Sequence, residues 1–243
     1  MTADRWTQVV RHQLGLGRLL PLGLPQDGAW IAEAAAGPVL RSAAERVRGV
    51  RVGALRIALA DPDEVYDPVV VPPPGALPPG PLRIDAEFRA AVDPTAPGAE
   101  PLPATAARLR SALAGAADRL GLVVARVDLR ITGLWEEDEV PVAERPDAPR
   151  PAPEPTDPEE ARVAAAARSV PGVSRLTDVL GHPVHIEVRP GGDAALPRRH
   201  VRVELAVAAR SHAVEVVGAV RAAAARTLPD APSVTVLVTA VTE

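Results

Sequence analysis

The sequence predicts an α+β protein built from two similar small modules, each a mixed or antiparallel sheet with two helices on one face. Three observations lead there. An alanine-rich helical stretch ends in a Gly-Val pair twice, at Arg48-Gly49-Val50 and at Pro171-Gly172-Val173. In both places extended segments follow, then a second alanine-rich helix, then a closing valine-rich strand, Val123 to Thr132 in the first copy and Val234 to Thr239 in the second. One order of elements repeated at one period is the mark of a duplication, and 243 residues hold two domains of about 100 residues each. The resulting partition is an extension over 1–25, a first module with long proline-rich loops over 26–134, an acidic proline-rich linker over 135–156 and a second module over 157–243.

The second module has the clearer pattern. Asp157, Pro158 and Glu160 stand where an N-cap, a first-turn proline and a capping-box acid belong. Val163, Ala166, Ala167 and Val170 recur at helical spacing until Pro171-Gly172 stops the helix. Extended pieces are expected over Leu176 to Leu180 and Val184 to Val188, with Pro190-Gly191-Gly192-Asp193 as turn chemistry. Val201, Val203, Leu205 and Val207 alternate with polar or small residues, the pattern of one buried strand face. Ser211 is placed to cap a helix carrying Val214, Val217, Ala224 and Leu228, and Val234, Val236 and Val238 make the closing strand.

The first module repeats this order with insertions. Asp27 is expected to cap a helix carrying Trp30, Ile31, Ala34 and Ala35, which Gly37-Pro38 should kink or split before Leu40, Ala44 and Val47. Leu55, Ile57 and Leu59 form one strand and Leu82, Ile84 and Ala86 another. Asp61 to Pro81, between them, is too long for a tight hairpin. A loop over Asp93 to Pro103 leads into the helix with Leu109, Leu113 and Leu120. The extension holds a short helix around Trp6 to Leu14.

Composition narrows the chemistry. Without cysteine, disulfides, thiolate metal sites and cysteine nucleophiles are excluded. Lysine and asparagine are also missing, so arginine supplies the strong bases, as a GC-rich coding bias produces. Aromatics are confined to Trp6, Trp30, Trp135, Tyr66 and Phe88, which leaves few large anchors for ligands. No run approaches the roughly 20 apolar residues of a membrane span, and Asp4, Arg5 and Arg11 interrupt any signal-peptide core. A soluble cytoplasmic protein is expected.

Charge is uneven along the chain. From Trp135 to Glu159 nine acids face Arg145 and Arg150, a local balance of −7 against −4 overall. That segment is also rich in proline, and the combination reads as an extended interdomain tether. Cutting it should release a folded fragment beginning near Asp157.

The chemical motifs are sparse. Gly15-Leu16-Gly17 lacks the preceding strand and third glycine of a dinucleotide loop. His182 and His185 would point to opposite faces of an extended segment and could not converge on one metal without a turn between them; a solvent-exposed pair of turn histidines is expected. Ser211-His212 places nucleophile and base side by side on a helix, where adjacent side chains diverge. Asp61, Asp63 and Glu64 read as turn acids. Arg198, Arg199 and Arg202 form the one compact basic cluster and the candidate partner surface. No catalytic residue, metal site or cofactor site is expected.

The stretches Val170-Pro171-Gly172-Val173, Val201 to Val207, the helix Val214 to Arg221 and the strand Val234 to Val241 together resemble the alkaline shock protein family of envelope stress response proteins. The first module is similar through Val47-Arg48-Gly49-Val50 and Leu122 to Gly133. The resemblance implies a noncatalytic structural or interaction protein of Gram-positive cells. It would be held at the inner face of the membrane by a membrane-anchored protein or a related stress protein, with a homo-oligomer among the expected assemblies and no direct membrane insertion. The alternative is a nucleic-acid-binding protein with RNA-binding-like α+β modules, but the chain lacks a stacking platform, a GxxG clamp and a basic field, so strong nucleic-acid binding is not expected.

Overall fold

The computed structural model describes residues 15–91, 101–135, 152–189 and 198–243. Within them the chain is α+β, with four helices and nine strands in two mixed sheets. In chain order these are β1 (Leu19–Leu22), a 3-10 turn (Pro25–Asp27), β2 (Ala29–Ala32), α1 (Glu33–Glu45), β3 (Val50–Leu59), β4 (Leu82–Ala91), α2 (Leu102–Leu120), β5 (Val124–Trp135), α3 (Pro158–Arg168), β6 (Val173–Leu176), β7 (Val184–Arg189), β8 (Arg198–Ala208), α4 (Ala213–Thr227) and β9 (Ser233–Thr242).

The smaller sheet runs β3-β4-β5, with β4 antiparallel to β3 and parallel to β5. In the larger sheet β8 occupies the corresponding centre, antiparallel to β6 and β7 and parallel to β9. The parallel pairs follow because α2 and α4 each carry the chain back across the sheet before the last strand.

The partition into separate modules does not match the packing. β1 and β2 pair with each other and β2 then pairs parallel with β9, so the order is β1-β2-β9-β8-β6. Residues 19–32 therefore extend the sheet formed by the C-terminal strands. A single apolar core joins Trp30, Leu40, Ile84, Leu113, Val203 and Leu237.

Several local expectations are corrected. Trp30 and Ile31 lie in β2 and not in a helix, because all four residues of that strand are buried. Asp27 closes the 3-10 turn, accepting the Leu24 N–H at 2.7 Å. Helix α1 begins at Glu33 and runs through Gly37-Pro38 without interruption. Asp157 does cap α3, accepting the Glu159 and Glu160 N–H groups at 2.8 and 3.1 Å, but the Glu160 carboxylate turns away to accept the Ile186 N–H of β7 at 3.2 Å. The N-cap of α4 is His212, not Ser211, and it makes no side-chain capping bond. The strand expected over Leu176 to Leu180 is instead β6, ending at Leu176.

The Asp61 to Pro81 insertion crosses the outer face of the larger sheet. The Thr235 hydroxyl donates to the Val71 carbonyl at 2.7 Å and the Trp30 indole N–H to the Leu77 carbonyl at 3.0 Å, while the Leu77 N–H meets the Leu19 carbonyl at 2.9 Å. An expected decoration thus buries part of a sheet face and satisfies the Thr235 hydroxyl and the Trp30 indole. The helix around Trp6 to Leu14, most of the Asp93 to Pro103 loop, the Pro190 to Asp193 turn and the greater part of the acidic linker lie outside the described residues. The linker's described end is docked, with the Ala152 N–H on the Leu176 carbonyl at 3.2 Å and Glu154 paired to Arg168 at 2.9 Å.

Candidate functional site

The three arginines at the start of β8 do not form one surface. Successive strand residues point to opposite faces, so Arg199 lies toward α3, where it pairs with Glu159 and, at 3.6 Å, with Asp230. Its hydrogen bond to Glu159 raises its pKa further. Arg198 is exposed, beside Arg189 of β7. Arg202 lies mostly buried on the outer face, its Nε 3.4 Å from Oε1 of Glu204.

Glu204 was not singled out by sequence reasoning. It is fully buried in the middle of β8. Oε2 accepts the Leu180 N–H at 3.0 Å, and burial pushes the carboxyl up to about 7, against the pull of that bond and of Arg202. The 3.4 Å approach of Arg202 is attraction without hydrogen-bond geometry, since both atoms lack a bonded partner. Four residues before Glu204 on the same face, His200 is also buried and held down to about 4 by burial, its Nδ1 2.8 Å from Ser233 Oγ. That spacing is the distance of a nucleophile and its base, but Ser233 Oγ also reaches the Arg199 carbonyl at 3.5 Å, and the pair closes the β8–β9 register where His200 faces Ser233. An isolated polar letter in a valine-rich strand is the only signal by which Glu204 could have been found.

His182 and His185 come together as a turn pair, His182 exposed and His185 half-buried. His182 lies in the turn before β7, and the rings stack with centroids 5.6 Å apart. Burial and Arg202 lower the pKa of His185. Among the described residues no three His, Asp or Glu side chains are grouped to hold a metal. Asp61 makes the expected turn, accepting the Asp63 N–H at 2.9 Å, and the Gly15-Leu16-Gly17 tract packs Leu16 into the core. A cleft of about 220 Å³ lies beside β6, and two of its polar side chains are engaged, Arg168 with Glu154 and the Ser174 hydroxyl with Thr242 at 2.6 Å.

The smaller sheet offers a different kind of surface. Its outer face is laced with charge, with Arg83 on Asp85 and Arg126 on Asp128, both at 3.1 Å, Arg130 on Glu87, and Arg51 over the Trp135 ring at 3.5 Å. Its two edges differ. On β3, Ile57 gives its N–H to Glu33 at 3.2 Å and its carbonyl to Arg18 at 3.1 Å, and the Gly53 carbonyl takes Arg41 at 2.7 Å. On β5 the sequence of outward-facing groups can be read from the ladder: the Leu82 N–H bonds the Val123 carbonyl and Ile84 lies opposite Val127, so Arg126, Asp128 and Arg130 turn their backbone groups toward β4 while Val127, Leu129 and Ile131 turn theirs away. Among the described residues two carbonyls of this strand carry arginine caps, Val127 from Arg110 Nε and Leu134 from Arg89, both at 3.3 Å. Exposed Ile131 and Leu134 lie along this strand, and exposed Val123 immediately precedes it.

No protein-family model matches the chain, and no match is found among the curated proteins. No helix among the described residues is long and apolar enough to cross a membrane.

Proposed function

We propose that the chain is a noncatalytic interaction protein that docks another polypeptide strand along the outer edge of β5. The observation that carries this reading is the contrast between the two edges of the smaller sheet: β3 is closed by Glu33, Arg18 and Arg41 along its middle, whereas among the described residues the longer β5 edge is capped at the Val127 and Leu134 carbonyls alone and keeps the outward groups of Leu129 and Ile131 beside exposed aliphatic side chains. A long exposed edge is a template for strand addition, where the main chain supplies affinity and alternate side chains supply selectivity.

The cellular setting rests on the resemblance to the alkaline shock protein family: recruitment to the inner face of the membrane during envelope stress, through a membrane-anchored protein or a related stress protein. The RNA-binding alternative gains little from the outer face of the smaller sheet, whose arginines are matched to Asp85, Glu87 and Asp128. The test is fractionation of native cells under envelope stress, comparing the natural chain with Leu129→Pro. Proline removes an outward N–H that β4 does not use. Recruitment of the natural chain and its loss in the variant is expected; equal recruitment of both, or neither reaching the membrane fraction, overturns the reading.

A further inference from the structure

Resting on the β5 docking reading, we infer that the strand which occupies that edge is β5 of a second copy, giving a two-fold dimer with a continuous six-stranded sheet. The edge is complementary to itself in one register. With β5 antiparallel to its own copy and Leu129 opposite Leu129, the residues whose backbone groups face outward meet one another: Leu129 with Leu129, and Val127 with Ile131 of the second copy. Those are the positions at which an antiparallel ladder exchanges both hydrogen bonds. Between them Asp128 falls opposite Arg130 of the second copy, twice by symmetry, on the exposed outer face.

The neighbouring registers are poorer. Sliding so that Asp128 faces Asp128 sets Arg126 against Arg130 of the other copy, and like charges directly opposite destabilise a sheet. Sliding one step further, to Val127 opposite Val127, restores Arg126 to Asp128 but leaves Ile131 to Trp135 overhanging. The Leu129-centred register aligns Val124 to Leu134 with itself and leaves only Trp135 beyond; the Arg130-centred register aligns as many residues but sets Arg130 directly against Arg130. It also covers exposed Ile131 and Leu134, since Ile131 meets Val127 and Leu134 meets Val124 of the second copy.

The charges are available for this. Asp128 and Arg126 are each about half exposed, and Arg130 is 74% exposed although it touches Glu87. Arg110 would release the Val127 carbonyl and Arg89 the Leu134 carbonyl, and the Ile131 and Val124 N–H groups of the second copy replace them. The interface is isologous, so it closes at two chains and does not propagate.

The experiment uses the full chain in sedimentation and light scattering. The natural protein runs as a dimer, and Leu129→Pro runs as a folded monomer, because β4 does not use the Leu129 N–H. Asp128→Arg and Arg130→Glu each weaken the dimer about tenfold by opposing like charges twice. Mixing the two variants restores a heterodimer, in which both opposed pairs are again opposite in sign. Because the chain has no cysteine, Leu129→Cys places two thiols about 5.5 Å apart at Cα, inside disulfide reach, and it crosslinks under mild oxidation while Ala125→Cys does not. A monomeric natural chain at high concentration overturns the inference, as does a dimer that persists in Leu129→Pro with no crosslink at position 129. If Leu129→Pro fails to fold, the mixing experiment decides: no rescue refutes the register. A monomeric chain whose membrane recruitment is still lost in Leu129→Pro refutes self-pairing and leaves the docking reading standing; a dimer whose recruitment survives that substitution does the reverse.

Discussion

Glu204 and His200 share one face of one strand, and burial moves their titrations in opposite senses for stability. His200 is held down to about 4, so between there and its ordinary value near 6.5 the unfolded chain binds the proton that the folded chain refuses, and stability rises with pH. Glu204 is raised from 4.5 to about 7. Between those values the folded chain holds the extra proton, so its contribution is fully present at low pH and lost as pH rises to about 7, with a ceiling of roughly 3 kcal/mol for the shift. His185, also lowered, adds to the His200 direction, and it faces Arg202, His182, Glu160 and Glu187. In the natural protein the two trends oppose each other in the mildly acidic range. Urea denaturation across pH should therefore show a stability curve that climbs and levels for Glu204→Gln, while His200→Gln exposes a decline toward neutrality. Identical profiles for both variants would show that neither group is perturbed as its burial implies.

At the scale of elements, the difference between α3 and α4 gives a direct comparison. Asp157 accepts two N–H groups at the start of α3, so Asp157→Ala should cost about 1 kcal/mol in denaturant unfolding. Ser211 precedes an N-cap that has no side-chain bond, and Ser211→Ala should stay within about 0.5 kcal/mol; equal losses would mean that Ser211 is a cap after all. The α3 signal was legible because Asp157, Pro158 and the following apolar stripe are all local. β2 was not. Ala29-Trp30-Ile31-Ala32 has no alternation, since both its faces are buried, and its parallel partner β9 lies at the opposite end of the chain. Periodicity cannot distinguish such a run from a buried helix. The same limit governs the sites. Alternation in Val127, Leu129 and Ile131 marks β5 as a strand, but whether it is an edge depends on strand order, which no local pattern encodes. Arg198, Arg199 and Arg202 cluster in the sequence and separate in space because a strand sends neighbours to opposite faces.

For the whole molecule, the repeated order of elements suggested two units joined by a tether, yet the described residues bury their surfaces across that division. Trp30 is 1% exposed beside Leu237 of β9, and the loop from the smaller sheet seals Thr235 with the Val71 carbonyl. Gly121, at φ 80° the C-cap of α2, gives its carbonyl to the Gly23 N–H at 2.8 Å and lies against Val214 of α4. A methyl group there would meet both the left-handed backbone penalty and the Val214 side chain, so Gly121→Ala should lower stability by about 2 kcal/mol or more. The larger consequence concerns fragments. A piece beginning at Asp157 keeps β6 to β9 but loses β2, the edge partner of β9, and the cover over Thr235 and Leu237. Its uncovered apolar sheet face and open edge favour association over folding. We therefore expect residues 157–243 alone to bind a hydrophobic dye and to lack a cooperative thermal transition, and residues 1–135 added in trans to restore one. Calorimetry of the intact chain should give a single transition whose calorimetric and van't Hoff enthalpies agree. A fragment from Asp157 that melts cooperatively by itself, at the temperature of the parent, would show that the shared core contributes nothing to its stability and would return the protein to two independent units.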